Sequence, residues 1–416
     1  MASVKRWPRS KENLSRLMTD YYMKGHSDAN DGKFVVWIAI IVPVELLKGF
    51  EGLVVAVPEN HSAMCAAKGI GAAQAEKSER EGYSMDLCSY ARIDMGTVFS
   101  GGEGSPSMGL PMPDLLISNT NNCSHLVKWF DVYHRRYDIP HFVLDVPFAY
   151  AGQKKEDLDY IVRQFRELIR LIEEMSGLTW DIDRVRDAVR YSDEGNNHWK
   201  RFLNLAMERP SPITAFDSFL QMAPYITAYR GTKELADHMR LLADEAYEQM
   251  EAGVYPVPEE KYRLLWDNIA PWHQLRRMYQ RLSDINANLI YASYTSCMGT
   301  VEGEVDRYRY ESEDPLIDLA RIQNSSVCPY GLGLRSSVMD EIIERFSIDG
   351  VVFASNRSCK PYSLMQIDLM RHIKKRHDVP AVMIDVDHAD ARKYSEENVF
   401  VKLEALIEEI DAERNG

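Results

Sequence analysis

The sequence predicts an α/β protein built from two Rossmann-like parallel-sheet domains, related by an internal repeat and joined by a helical segment. Three observations carry that expectation. A strand, helix, strand pattern that begins at Asp114 returns at Asp349; its strands are continuous apolar runs; and the chain between the copies switches to helical periodicity. At 416 residues the chain is also longer than one ordinary core organises.

The first copy covers residues 113–147 and the second 348–387. Each opens on an Asp (Asp114, Asp349), passes through a short apolar strand at 115–117 or 351–353, and breaks into an Asn/Ser loop that ends on a cysteine, Cys123 or Cys359. A helix follows, carrying Trp129, Phe130, His134 and Arg135 in one copy and Met370, His372, Lys374 and Lys375 in the other. It ends before Asp138-Ile139-Pro140 or Asp378-Val379-Pro380, because the residue ahead of a proline is driven out of the helical region. A second strand then runs over 141–145 and 381–385.

Strands apolar on both faces imply parallel sheets covered by helices on both sides. Ligands of such sheets bind beyond the carboxyl ends of the strands, which is where Cys123 and Cys359 fall. Core packing gives no reason for a cysteine at the same place twice.

The expected division is an N-terminal Rossmann-like domain at 1–150 with Cys88 and Cys123, a helical connecting region at 151–255, and a C-terminal Rossmann-like domain at 256–416 with Cys359. In the connector, Leu158, Ile161, Val162, Phe165, Leu168, Ile169 and Ile172 recur at helical spacing among charged residues. Arg209-Pro210-Ser211-Pro212 marks a loop and helix start, and Tyr255-Pro256-Val257-Pro258 the linker into the second sheet. Residues 262–269 and 289–294 read as strands of that sheet.

Composition removes several function classes. Hydrophobic residues at 45% and charged ones at 27% describe a folded chain, not a disordered one. A net charge of -14 argues against a nucleic-acid surface but leaves room for a local basic patch. There is no run of eighteen apolar residues, and the basic, polar start at Met1 to Lys11 has no apolar segment behind it, so neither a membrane span nor a signal peptide is expected and the reading is cytoplasmic. The six cysteines, Cys65, Cys88, Cys123, Cys297, Cys328 and Cys359, form no CxxC pair, and a reducing compartment disfavours disulfides. Free cysteines usually serve as small buried hydrophobes. The repeat lifts Cys123 and Cys359 above that default.

Further residues carry a family resemblance. Val57-Pro58-Glu59-Asn60 ahead of an Ala-rich helix, and the segment from Gly82 through Cys88 to Arg92, resemble the front half of 2-hydroxyacyl-CoA dehydratase subunits. Pro113 to Leu116, Asn122-Cys123 and Lys128-Trp129 continue the pattern, and Asn356 to Lys360 with Asp387, Ala389-Asp390 and Arg392 closes it. Nearly the whole chain therefore resembles the 2-hydroxyacyl-CoA dehydratase and benzoyl-CoA reductase family, in the manner of the 2-hydroxyglutaryl-CoA dehydratase D-component.

The resemblance implies that Cys88, Cys123 and Cys359 hold a 4Fe-4S cluster with one open iron site, and that Glu59 lies near the substrate as an acid–base residue. It further implies an acyl-CoA substrate, a paralogous second subunit of similar size, and an ATP-hydrolysing iron–sulfur activator protein, since this chain has no GxxxxGK[ST] loop of its own. The chemistry implied is delivery of a low-potential electron to the thioester carbonyl. Glu59 also reads, more simply, as a capping carboxylate at the start of the helix after Pro58.

Where dehydratases carry a serine, this chain has Ile40, whose side chain donates no hydrogen bond. Together with segments such as Tyr229-Arg230-Gly231-Thr232 and Asp314-Pro315-Leu316, which look like the benzoyl-CoA reductase branch, this tips the reading toward reduction of an aromatic or unsaturated acyl-CoA. A (R)-2-hydroxyacyl-CoA dehydratase subunit is the alternative, and a double-cubane reductase or non-catalytic electron-transfer module ranks third. Cys297 and Cys328 have no assigned role, and Cys65 is expected in the core. His61 and His125 are candidate proton donors, His388 a loop residue, and His134, His372 and His377 are expected to face solvent.

Overall fold

The computed structural model describes residues 6–149, 152–296, 310–325 and 331–415, so Cys297 and Cys328 lie outside the described residues. The first sheet contains β1 (Val35–Ile38), β2 (Val54–Ala56), β3 (Leu115–Asn119) and β4 (His141–Leu144), the second β5 (Tyr262–Asp267), β6 (Ala287–Ala292), β7 (Gly350–Asn356) and β8 (Ala381–Val386). All pairings are parallel, in the orders β2-β1-β3-β4 and β6-β5-β7-β8. The two sheets share one layout, in which β3 and β7 each lie between a central neighbour and the outer strand that follows in sequence, so the repeat seen over two strands extends to the sheet as a whole.

Local chemistry explains the matched geometry. At the start of the first sheet Asp114 accepts the Val35 N–H through Oδ2 at 2.8 Å and donates its own N–H to the Val35 carbonyl at 2.8 Å. Asp349 does the same with Arg263 in the second sheet, also at 2.8 Å in both directions. Each repeat Asp thus pins β3 or β7 in register against the neighbouring central strand. Asp138 and Asp378, at φ 54° and 53°, end the helices Ser124–Tyr137 and Gln366–His377 in the left-handed conformation that short polar side chains tolerate.

Strands β1, β2, β3, β5 and β6 are buried at every residue. The outer strands β4 and β8 are not: each leaves one side of the sheet open, and Val143 in β4 is 37% exposed. Coverage on both faces therefore holds only up to the last strand. The strand read at 289–294 starts earlier and stops at Ala292; Ser293–Ser296 form a 3-10 turn, held to the end of β5 by the Ser293 hydroxyl on Asp267 Oδ1 at 2.7 Å.

Between the sheets come the long helices Lys155–Ser176, Ile182–Asn204 and Lys233–Glu251. Ile161, Phe165, Leu168 and Ile172 of the first are buried, as its periodicity predicts. A helix at Pro8–Asn30 joins this layer from the far end of the chain: Ser10 donates its hydroxyl and N–H to Glu245 Oε2 at 2.6 and 2.9 Å. No helix among the described residues is long and apolar enough to cross a membrane.

Of the three histidines expected to face solvent, His134 is exposed, its Nδ1 meeting the Ile139 carbonyl at 2.7 Å, whereas His372 and His377 are only part-exposed and both meet Asp340 Oδ1, at 2.8 and 2.7 Å. The reason is tertiary: Asp340 belongs to the neighbouring helix Leu332–Phe346, which the local basic pattern does not reveal.

Candidate active site

In each sheet the strand order reverses beside the central strand, and the carboxyl ends there open a crevice. One cavity collects the residues at those ends. Ile40 follows β1, Glu59 follows β2 and Cys123 follows β3; from the other sheet come Ile269 after β5, Tyr294 after β6, Cys359 after β7 and His388 after β8. The cavity is partly open to solvent and its lining is mainly apolar.

Cys88, Cys123 and Cys359 all line this cavity and all are half-buried. Cys88 reaches it from the loop between the helices Gly71–Arg80 and Ser89–Phe99, not from a strand end. Cys88 and Cys123 are the N-caps of the helices Ser89–Phe99 and Ser124–Tyr137, so the positive helix ends favour negative charge on their sulfurs. In the metal-free chain burial nevertheless pushes the Cys88 thiol up to about 12; the N–H groups of Ala91 and Tyr90 oppose this and the nearby Cys123 adds to it. Cys65 stands apart, fully buried in the helix Pro58–Ala67.

Among the described residues no three His, Cys, Asp or Glu side chains gather as they would around a single metal ion. A four-iron cluster poses a different demand. Its ligands bind separate irons, so its cysteines surround a space instead of meeting at one point. Three soft sulfur donors around an apolar cavity fit that demand.

Glu59 is 5% exposed and sits at the second position of the helix Pro58–Ala67. Oε1 accepts the Ile40 N–H at 2.9 Å, while Oε2 is buried with no partner among the described residues. Burial raises the carboxyl from 4.5 to about 7, against the lowering effect of the Ile40 and Glu59 N–H groups. Glu59 is therefore more than a helix cap: its side chain belongs to the cavity wall and keeps one oxygen uncommitted.

His388, expected only as a loop residue, is fully buried and ties the second sheet to the start of the helix Ser89–Phe99 at the cavity. Asn356 donates Nδ2 to the Ile269 carbonyl at 3.1 Å and so presents Oδ1 to His388 Nδ1 at 3.0 Å. Nδ1 then carries the proton, and Nε2 accepts from the Ser89 hydroxyl at 2.9 Å, with Cys88 Sγ at 3.8 Å. Burial lowers the imidazole to about 4, consistent with a neutral ring. The Tyr90 ring packs edge-on against it with centroids 4.3 Å apart, and the Tyr90 hydroxyl accepts from Trp272 Nε1.

Of the other histidines, His125 lines the cavity with Nε2 buried and without a partner among the described residues, whereas His61 does not reach it. His61 lies in the core with Ser105 at 2.9 Å and Asp94 at 3.6 Å; burial disfavours its charge, but Asp94 and Cys65 outweigh that and push it up to about 9. Sequence reasoning passes over Tyr90, Ile226 and Tyr362 as cavity walls. Tyr90, two residues after Cys88, is accessible by proximity; Ile226, from a 3-10 turn in the connector, carries no signal.

A family model described as 2-hydroxyglutaryl-CoA dehydratase, D-component, matches residues 39–410, which contain every residue named at the cavity. The chain belongs to this family. Among its relatives, the (R)-phenyllactyl-CoA dehydratase alpha subunit of Clostridium sporogenes is 32% identical over 388 residues, covering 92% of this chain and 91% of that one. A benzoyl-CoA reductase subunit of Thauera aromatica is 30% identical over 348 residues, with 82% and 80% covered. The lactoyl-CoA dehydratase alpha subunit of Anaerotignum propionicum is 29% identical over 415 residues, with 95% and 96% covered. The dehydratases among them slightly favour the dehydratase alternative over the reduction suggested by Ile40 and the benzoyl-CoA reductase-like segments. All three relatives are named as subunits, so this chain too is expected to work within a larger assembly.

Proposed function

We propose that this chain is the cluster-holding subunit of a 2-hydroxyacyl-CoA dehydratase whose acyl group is apolar. The observation that carries the reading is the meeting of Cys88, Cys123 and Cys359 with Glu59, whose Oε2 is unpartnered, in one apolar cavity. The three thiolates would hold a 4Fe-4S cluster, which supplies a low-potential electron and one iron open to an oxygen ligand. A paralogous subunit of similar size and an ATP-hydrolysing activator protein complete the system, the latter because this sequence contains no phosphate-binding GxxxxGK[ST] loop.

The chain's own residues account for the rest. A carboxyl at about 7 is near half-protonated at neutral pH, so Glu59 Oε2 can hand a proton to a departing hydroxyl or take one from the acyl chain. Its other oxygen is fixed on the Ile40 N–H, which stops the carboxylate from turning away. Ile40 thus contributes through its main chain, and a hydrogen-bond donor for the leaving group comes from Glu59. The lack of a serine at this position is therefore no obstacle to elimination. Ile40, Ile41, Ile226 and Ile269 exclude water and offer the acyl chain an apolar wall.

Reduction of an aromatic acyl-CoA is the second reading, favoured by Trp129, Tyr294 and Tyr362 in the same wall and by the similarity to the benzoyl-CoA reductase chain. The deciding experiment gives the activated, anaerobic complex a panel of 2-hydroxyacyl and benzoyl-type thioesters and follows product mass. Loss of one water from the hydroxyacyl thioesters is expected. Gain of a hydrogen pair by the aromatic ones, without water loss from the others, overturns the proposal.

A further inference from the structure

The loop after β8, from Asp387 to Lys393, touches both of the cysteine loops that come from different ends of the chain. Asp387 Oδ1 accepts the N–H groups of Ala389 and Asp390 at 3.1 and 2.9 Å, which folds the loop back on itself. Its other oxygen accepts the hydroxyl of Ser358, the residue before Cys359. On the opposite flank Asp390 Oδ2 accepts Arg92 Nη1 at 3.0 Å, and Arg92 Nε donates to the carbonyl of Leu87, the residue before Cys88, at 3.2 Å. Arg92 and Asp390 are both fully buried, so this pair is held without competition from water.

Lys393 closes the bracket. Its Nζ donates to the Met85 carbonyl at 2.5 Å and to Ser358 Oγ at 3.2 Å, with Asp387 Oδ2 at 4.0 Å and the side chain 16% exposed. An ammonium has three donors and no acceptor, and here they are shared between a carbonyl three residues before Cys88 and a hydroxyl one residue before Cys359. One side chain thus spans directly two loops that are otherwise joined through Asp387, His388 and Asp390. We propose that Lys393 is a positioning residue: by donating to Met85 and Ser358 it holds Cys88 and Cys359 at the separation that a bound cluster spans. This rests on the cluster site proposed above. Groups that hold ligands in place without touching the metal characteristically change metal affinity by about tenfold or more when removed.

The test compares the full chain with Lys393→Met, which keeps length but removes all donors, with Lys393→Arg, and with Lys402→Met as a control, since Lys402 donates to the Met383 carbonyl and reaches neither cysteine loop. Two readouts are taken. In anaerobically reconstituted protein, iron release to a chelator should be about tenfold faster in Lys393→Met than in wild type, with part of the loss restored in Lys393→Arg and no change in the control. In metal-free protein whose other four cysteines are replaced by Ser, bridging of Cys88 to Cys359 by a short bis-maleimide should fall severalfold in Lys393→Met, while its thermal midpoint and circular dichroism stay near the parent's. Equal iron release and equal bridging in Lys393→Met and wild type overturn the proposal. If wild type takes up no iron but the bridging difference persists, the cluster reading fails and the positioning role stands. Should Lys393→Met not fold, Ser358→Ala removes the same tether from its other end, and unchanged bridging there overturns the proposal equally.

Discussion

Glu59 and Ile40 are locked together side chain to main chain: Glu59 Oε1 accepts the Ile40 N–H at 2.9 Å, and Oε2 stays buried and unpaired in a side chain that lines the cavity with the three cysteines. The pairing joins the ends of two neighbouring strands, β1 and β2, and gives the carboxylate one fixed and one uncommitted oxygen.

Replacing Glu59 by Gln should leave the fold intact and lower turnover by about a hundredfold to ten-thousandfold, the usual worth of a positioned acid or base. The stability consequence has a definite sign. Burial raises the carboxyl from 4.5 to about 7, so the folded chain keeps this proton at pH values where the unfolded chain has lost it. Its stabilising contribution is complete below pH 4.5 and is lost as pH rises through about 7. Glu59→Gln should lack that decline, and above pH 7 it should be the more stable protein by on the order of 3 kcal/mol. Denaturant midpoints across this range check it; parallel curves for the two proteins would show that the carboxyl is not perturbed.

Cys88→Ser, Cys123→Ser and Cys359→Ser should each lose most of the iron that the reconstituted wild type holds, about four atoms per chain. Cys65→Ala should keep it, because Cys65 is sealed in the core away from the cavity. Iron and sulfide analysis with the visible spectrum decides. Comparable loss from Cys65→Ala would place the cluster elsewhere.

The repeated strand, helix, strand units are legible in the sequence because their cause is local, apolar strands and proline-terminated helices; β1 and β2, and the pinning of Asp114 to Val35 and of Asp349 to Arg263 across 79 and 86 residues, are not. Cys123 and Cys359 are legible for the same reason, each sitting just past a strand. Cys88 is legible only through resemblance, since it arrives on a helix–helix loop, and the role of His388 is hidden because it comes from Asn356 and Ser89, which are 32 and 299 residues away in sequence. Contacts of that range are made by tertiary packing, and no local pattern encodes them.

Gly96 marks a place where that packing leaves no room. A Cβ there would lie 1.9 Å from the Gln74 carbonyl oxygen, because the helices Gly71–Arg80 and Ser89–Phe99 touch backbone to backbone. Gly96→Ala should destabilise the chain by about 1–3 kcal/mol through overpacking, despite the better helix propensity of Ala. As Cys88 caps the second of these helices, the variant should also hold iron less well than wild type. A thermal midpoint equal to wild type would mean that the two helices part without strain.

The cavity wall leads to the last expectation, which concerns the acyl chain. Ile40, Ile41, Ile226 and Ile269 place branched apolar groups where a substrate side chain would lie, with Trp129 and Leu126 beside them. A phenyl or branched alkyl group placed there gains burial of about 25 cal/mol for each Å² of apolar surface. A second carboxylate placed there loses its water against aliphatic carbon, at a penalty of several kcal/mol unless a cation accompanies it. Phenyllactyl-type and isocaproyl-type thioesters should therefore exceed a glutaryl-type thioester in kcat/KM by about a hundredfold or more. Ile226→Arg should reverse part of this preference, because a cation on that wall would compensate the carboxylate, and binding of the same thioesters to the metal-free chain should shift in parallel. Ile40→Ser tests the neighbouring position, where the main chain is already committed to Glu59: the added hydroxyl should ease polar acyl groups without altering the pH profile set by Glu59. Equal turnover of the apolar and the dicarboxylic thioesters would show that the isoleucine wall does not meet the acyl chain.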